Sequence, residues 1–423
     1  MSGLSASQAT DDAPRWAARL LILAVILLFT LSPMALAFVG VKYDLPEGPF
    51  WQKLHPCTLV AMLAILIDVV ARPYPLRRIE QIVTRFPAAM YFIAMWMLLI
   101  AHGLLNQQAQ FTALVEPYAL SLVALFMIDD IGDRSRNFLR LFLHAAILVN
   151  AFIGVVEYFT HGRLFPYVIG GVEVEGDFRS TALLGHPLLN ASTTGAYILC
   201  LVMGGDSRLP AFWRMFALLL AALGMIAFGG RTAIAASSLI ILLLGLRGFV
   251  AFLLGARIDI QKVLAALVIA PLLIGGVAGA AQAGAFDAFV ARYVDDNGSG
   301  QARLIALELF NMFDLGDLMI GPRPELVNSG LKFLGIEIGI ENNWLAWLFQ
   351  YGAWMAAFFT LGLFALFFEF WRRGRSGVTL LFVYFITIIS SAIGLGAKTL
   401  IFAQFSILLL VLFARDEAAA SSN

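Results

Sequence analysis

The sequence predicts an all-α, polytopic membrane protein. Residues of the AVILMFWYC set make up 61% of the chain and charged residues only 13%. The apolar residues also gather in runs about 20 long, the length of helix that crosses a bilayer core. A soluble globular domain is nearer half apolar and a quarter charged. The 35 phenylalanines, spread over most of the chain, suit lipid-facing helix surfaces better than one packed core. Formal net charge is +0, which removes the broad basic surface that nucleic-acid binding uses. Cys57 and Cys200 both lie inside apolar runs and read as small buried hydrophobes. The 5 histidines are scattered, without Cys/His spacing, so no structural metal site is expected.

The element order follows from the runs. They span approximately 17–39, 55–71, 86–105, 111–128, 138–159, 184–204, 211–229, 231–254, 262–283, 343–370, 377–395 and 398–414, about 12 membrane helices in all. The polar start, MSGLSASQATDDAPRWAAR, carries two acids and precedes a run long enough to span. It is read as leading into a retained first helix rather than as a cleaved signal. Only Gly229-Gly230-Arg231 separates the seventh and eighth runs. Residues 1–423 are read as a single integral membrane domain.

Orientation follows from short loops rich in Lys and Arg. Arg72, Arg77, Arg78 and Arg85 share one loop; Arg134, Arg136 and Arg140 lie in the next on that side. Arg208 and Arg214 follow, then Arg247, Arg257 and Lys262, and finally Arg372, Arg373 and Arg375. These alternate with the spans, so both termini are expected on the cytoplasmic side of a bacterial inner membrane. Two segments on the other side, 160–183 and 284–342, are too long to be simple turns. Within the longer one, Arg303 to Phe313 alternates apolar and polar positions at helical spacing. An amphipathic helix on the outer surface or against the bundle is expected there.

Positive charge on the outer side works against the orientation signal and calls for a reason. Arg179, Arg231, Arg303, Arg323 and Lys398 all fall there. For Arg163, Arg292, Arg323 and Lys332, ordinary solvation is reason enough. Arg231 sits between two apolar runs, at the start of a helix and after two glycines. Unpaired N–H groups, the positive end of the helix dipole and a guanidinium together make a compact phosphate site. The structural alternative is an arginine snorkelling to headgroups; functional use of ionisable groups at membrane depth favours the anion site. Arg179 precedes the sixth run, whose polar residues Asn190, Ser192, Thr193 and Thr194 would line one part of that helix. His186 precedes Pro187, a natural first-turn residue, and taken alone reads as a satisfied structural histidine. No P-loop, GxSxG or HExxH pattern occurs, so ATP hydrolysis and the usual hydrolase designs have no support.

Three short patches resemble the O-antigen ligase and Wzy-type polysaccharide polymerase superfamily, with a VpsF-like exopolysaccharide branch as the nearest part. One is Arg179 through Ala191; the second is Phe228-Gly229-Gly230-Arg231-Thr232-Ala233. The third runs from Arg303 through Gly321 to Glu341-Asn342-Asn343-Trp344-Leu345 and Tyr351-Gly352. The resemblance implies a GT-C-like, metal-independent membrane glycosyltransferase without cofactor. Its donor would be an undecaprenyl-diphosphate-linked glycan, its acceptor a second glycan, with a flippase and a chain-length regulator as partners. It implies that Arg179, Arg231, Arg303 and Lys398 bind the diphosphate. Where the family has a histidine before asparagine, this chain has Asn342, which orients a hydroxyl but takes no proton. The base then falls to Glu341 or His186, with Glu341 favoured as a carboxylate at a loop–helix junction. Polymerisation of lipid-linked repeat units is the leading expectation. Transfer of a finished glycan to another acceptor is the nearest alternative, and a polysaccharide transporter, flippase or non-catalytic export component is a further one.

Overall fold

The computed structural model describes residues 14–45, 48–106, 111–169, 172–173, 178–255, 304–336, 339–391 and 394–415. Helix occupies every expected apolar run except 262–283, which lies outside the described residues. The helices are α1 (Arg15–Thr30), α2 (Pro33–Phe38), α3 (Pro56–Val70), α4 (Pro75–Arg85), α5 (Pro87–Leu105), α6 (Phe111–Val115), α7 (Ala119–Met127) and α8 (Asp133–Thr160). They continue as α9 (Pro187–Val202), α10 (Ala211–Phe228), α11 (Arg231–Leu253), α12 (Leu315–Ile320), α13 (Pro324–Phe333), α14 (Asn343–Arg373), α15 (Val378–Ser390) and α16 (Ile401–Leu412). Proline opens many of them at a position where its missing N–H costs nothing. Among the described residues, 6 helices are long and apolar enough to cross a membrane, or 7 if α3 and α4, bent by 116° at their break, make one span. The chain is therefore a polytopic helical membrane protein.

Charge packs one end of the bundle together. Buried Asp68 at the end of α3 holds Arg78 at 2.7 Å, and Arg78 reaches Asp130 at 2.9 Å. Arg85 pairs with Asp129 at 2.7 Å. At the end of α14, Glu369 holds Arg373 at 2.9 Å and accepts the Ala88 amide. Arg140 on α8 holds Asp206 at 2.8 Å, and Arg375 donates to the Gly204 carbonyl at 2.8 Å. The arginines 72–85, 136–140, 214 and 372–375, which the sequence assigns to one side, thus share one end. Arg257 and Lys262 lie outside the described residues.

Phenylalanine does more than face lipid. Phe92, Phe359, Phe370 and Phe385 are fully buried, and Phe402 meets Phe367, Phe370 and Phe385 at ring separations of 5.4, 5.6 and 5.6 Å. These rings build an aromatic core between α5, α14, α15 and α16, while others, Phe138, Phe152, Phe159, Phe249 and Phe252 among them, are exposed as the composition suggests. Outward spacing by itself does not separate a lipid-facing ring from one packed against a neighbouring helix.

The run 343–370 is not one straight span. At Gly352 the backbone turns to φ 79°, ψ 162°. On either side the chain folds back: Trp344 and Phe364 stack at 6.2 Å, and Trp347 meets Phe359 at 5.0 Å. An unbroken helix would set the first pair about 30 Å apart. The segment 343–351 therefore runs beside 353–373 as a helical hairpin. A Cβ on Gly352 would lie 2.3 Å from the Ile320 carbonyl carbon and 2.4 Å from the Gly321 nitrogen, so the end of α12 is seated in the break.

Residues 304–313, the described part of the expected amphipathic stretch, form mainly a 3-10 helix over Ala306–Met312 rather than an α-helix. Ala306 and Leu309 are buried in a small satellite core with Val327, Ala346 and Phe349. The stretch packs against the hairpin, as one of the two expected placements has it.

The hairpin matters because several other helices are short. At 16, 13 and 12 residues, α9, α15 and α16 rise only about 24, 20 and 18 Å, against a bilayer core of about 30 Å. Their charged-end termini are level: the Asp206 amide donates to the Leu412 carbonyl at 2.7 Å, and the Arg375 amide to Phe413 at 3.0 Å. Their other ends therefore stop short of a full span, so that the loops beyond them lie in a set-back region, the recess, opposite the charged end.

Candidate functional site

The floor of the recess is built from loops whose backbone is satisfied by buried side chains. Glu157 on α8 accepts the amides of Leu164, Thr181 and Ala182 at 2.6, 2.8 and 2.9 Å. Asn150, two turns earlier, accepts Leu183 at 2.9 Å and donates to Asn190 at 2.7 Å. Asn190 in turn donates to the Thr181 and His186 carbonyls. Buried amides left open would cost about 1–3 kcal/mol each, so these three side chains fix the 180–186 loop. Three residues of the expected polar lining of α9 are spent in the same way, while the Thr194 hydroxyl is buried with no hydrogen-bond partner among the described residues. Asn190 holds this loop, Ser192 bonds back to Leu188, and Thr193 donates to Gln404 at 2.6 Å.

Arg179 and His186 come together on that loop. His186 caps α9, its Nδ1 accepting the Leu188 amide at 3.2 Å. Burial, aided by the Arg179 charge, lowers its pKa to about 4. A neutral ring that accepts at Nδ1 carries its proton on Nε2, so His186 presents a donor. Tyr167 stands edge-on to His186 at 5.7 Å, and its hydroxyl feels both Arg179 and Arg163. Arg163 also lies over the Tyr167 and Phe178 rings at 5.5 and 4.9 Å.

Arg231 is the first residue of α11, as expected, and is half-buried. The preceding turn is held by contact: a Cβ on Gly230 would lie 2.3 Å from the Ala191 Cβ of α9. The Ser180 amide donates to the Ala227 carbonyl at the end of α10. Arg179 and Arg231 therefore both border the α9–α10–α11 junction.

Lys398 has a different set of neighbours. Its Nζ donates to the Tyr43 carbonyl at 2.6 Å, lies 3.1 Å from the Tyr43 ring centre, and faces Asp44 at 3.8 Å. Desolvation lowers its pKa to about 8, against the opposing pull of Asp44 and Glu116. Glu116 is fully buried and accepts from the His55 amide and from the Tyr43 hydroxyl. His55 caps α3, with Nε2 at 2.6 Å from the Leu31 carbonyl, and burial lowers its pKa to about 4. The sequence reading missed Tyr43, Asp44, His55 and Glu116. Glu116 was visible as an acid inside an apolar run, a signal of function by default.

At the hairpin, Asn342 is a helix cap. Its Oδ1 accepts the Trp344 and Leu345 amides at 3.0 and 3.1 Å, and its Nδ2 donates to the Ser390 carbonyl at 3.1 Å. Every polar atom of that side chain is thereby used. Asn343 beside it is fully buried, with neither Oδ1 nor Nδ2 bonded among the described residues. Glu341 is half-buried, immediately before the cap. Arg303 lies outside the described residues.

A cavity of about 430 Å³ lies beside these groups. Residues of 34–45 line it, with Lys42, Tyr43 and Asp44 as the polar ones, together with Pro166 and Val168. Tyr167, between those two in the chain, meets the His186 ring and feels Arg179 and Arg163. Such a volume falls within the range of about 300–1,000 Å³ common for small-molecule sites.

Fold and site together define a polytopic membrane protein with ionisable groups gathered opposite its charged end. No family model matches the chain, and none of the curated proteins or solved structures compared with it matches either.

Proposed function

We propose that the chain is a GT-C-like membrane glycosyltransferase of about 12 spans that polymerises undecaprenyl-diphosphate-linked repeat units at the outer face of a bacterial inner membrane. Both termini are then cytoplasmic. The observation that carries this reading is the placement of Arg179 and Arg231 at one helix junction, in a recess opposite the arginine-rich end. Transfer from a lipid diphosphate needs fixed positive charge where the leaving group gathers negative charge. Guanidinium groups supply it in a geometry matched to phosphate. The donor Nε2–H of neutral His186 adds a hydrogen bond beside Arg179. Glu341 and Asn343 stand at the start of the hairpin, at the same end of the bundle as Arg179 and Arg231. A flippase would deliver the donor and a chain-length regulator would end the product; no metal or organic cofactor enters the reaction.

The test is reconstitution of the full chain in vesicles with a lipid-linked repeat unit. The expected product is a ladder of longer lipid-linked glycans. Arg179→Ala and Arg231→Ala should each lower its rate by about 100-fold, the size of effect that loss of one charge-stabilising donor produces. Unchanged ladders in both variants would remove the diphosphate site. Transfer to a different acceptor, without lengthening, would instead identify a ligase.

A further inference from the structure

We propose that the cavity between residues 34–45 and 166–168 receives the acceptor sugar, and that Asp44 is the base that takes the proton from its attacking hydroxyl. This rests on the glycosyltransferase reading above and gives that site its second substrate. The geometry has three parts. The cavity is lined by the carboxylate of Asp44, by Lys42 and Tyr43 beside it, and by apolar residues that include Met34, Phe38, Pro166 and Val168. Among the described residues, the charged partner of Asp44 is Lys398, at 3.8 Å from Oδ1. The other carboxylate oxygen is thus available to a hydroxyl in the cavity. Pro166 and Val168 on the cavity wall flank Tyr167, whose ring meets His186 and whose hydroxyl feels Arg179 and Arg163. That part of the lining is thus one residue away from the group that surrounds Arg179, where the donor diphosphate is proposed to lie.

The atoms balance. The acceptor oxygen forms a bond to the anomeric carbon of the donor sugar and gives its proton to Asp44. The bond from that carbon to the diphosphate oxygen breaks, and the electron pair leaves with the lipid diphosphate beside Arg179. Asp44 then returns the proton to water through the exposed side of its carboxyl. Partial desolvation raises the Asp44 pKa from the ordinary carboxylate value, while Lys398 opposes the shift. Tyr43 and Glu116 complete the ionisable surroundings of Lys398, and Lys53 also acts on it.

The experiment uses the full chain in vesicles, a short lipid-linked repeat unit as donor and acceptor, and two readouts: elongation rate and donor binding. Asp44→Asn should lower elongation by about 100-fold or more, the usual contribution of a general base, with donor binding unchanged. Asp44→Glu should restore part of the rate, with the acidic limb of its pH profile displaced. Wild-type elongation in Asp44→Asn overturns the proposal. So does loss of donor binding with the rate, or an Asp44→Glu variant as slow as Asp44→Asn, since either marks a structural role. If the wild-type chain itself fails to elongate the donor, the glycosyltransferase reading falls, and this proposal with it.

Discussion

Asn342 and Asn343 are adjacent and chemically identical, yet the fold gives them opposite environments. Asn342 spends its amide on the cap of α14 and the end of α15, whereas Asn343 is buried with its polar atoms unbonded among the described residues. Asn342→Ala should therefore cost stability, about 1 kcal/mol for the lost cap. Asn342→Asp still accepts both amides but sets a carboxylate oxygen against the Ser390 carbonyl, so it should recover only part of it; thermal unfolding in detergent reads the difference. If Asn342 instead touches substrate, both variants lose activity while the unfolding temperature stays fixed. Lys398 gives a pH prediction of definite sign. It lowers the Asp44 pKa, so Lys398→Met should let that pKa rise and move the acidic limb of the rate profile to higher pH. In the wild type, Lys398 loses its charge as pH passes about 8, well below the ordinary lysine value near 10.4. Its charge is therefore intact across the acidic limb of the wild type, and a limb that stays put in Lys398→Met would separate the two groups.

Among the elements, α14 decides the shape of the recess, and the sequence reads it only in part. Apolar content marks 343–370 as membrane-embedded, and Gly352 stands within it. Nothing local says that the glycine turns the helix back on itself, because the cause is a distant backbone: Ile320 and Gly321 occupy the space of a Cβ. Gly352→Ala has two faults, a positive φ of 79° and a contact of 2.3 Å with backbone that cannot give way. A loss of several kcal/mol, about 3 or more, is expected from such combined strain and overlap. Gly248→Ala on α11 meets nothing within 4 Å and should gain slightly from helix propensity, by about 0.5–1 kcal/mol. Comparing the folded fraction of the two variants on size exclusion checks the hairpin. Equal yields would mean that the break is tolerated without glycine. The Gly229-Gly230-Arg231 turn, by contrast, is legible, since two apolar runs of helical length meet there and glycine ends one of them.

For the whole molecule, charge asymmetry was the most legible property and side-chain networks the least. Arginines at 72–85, 136–140 and 372–375 are far apart in sequence, and the alternation of spans was enough to place them together. The Lys398–Tyr43–Glu116–His55 group was not legible, because it joins four loops whose contacts depend on how far each short helix rises. The structure fixes which segments share an end; the arginine bias predicts that the charged end faces the cytoplasm, and this is directly testable. Both native cysteines are buried, Cys57 at 0% and Cys200 at 1% exposure, so a single introduced cysteine reports without background. Ser329→Cys lies on exposed α13, beyond the recess, and Arg77→Cys on exposed α4, at the charged end. An impermeant maleimide applied to intact cells with a permeable outer membrane should label Ser329→Cys at once. It should label Arg77→Cys only after the inner membrane is opened. The reverse pattern would turn the bundle over and put Arg179 and Arg231 on the cytoplasmic side. A lipid-linked donor presented at the outer face could not then reach them, so this labelling decides the polymerase reading before any sugar is transferred.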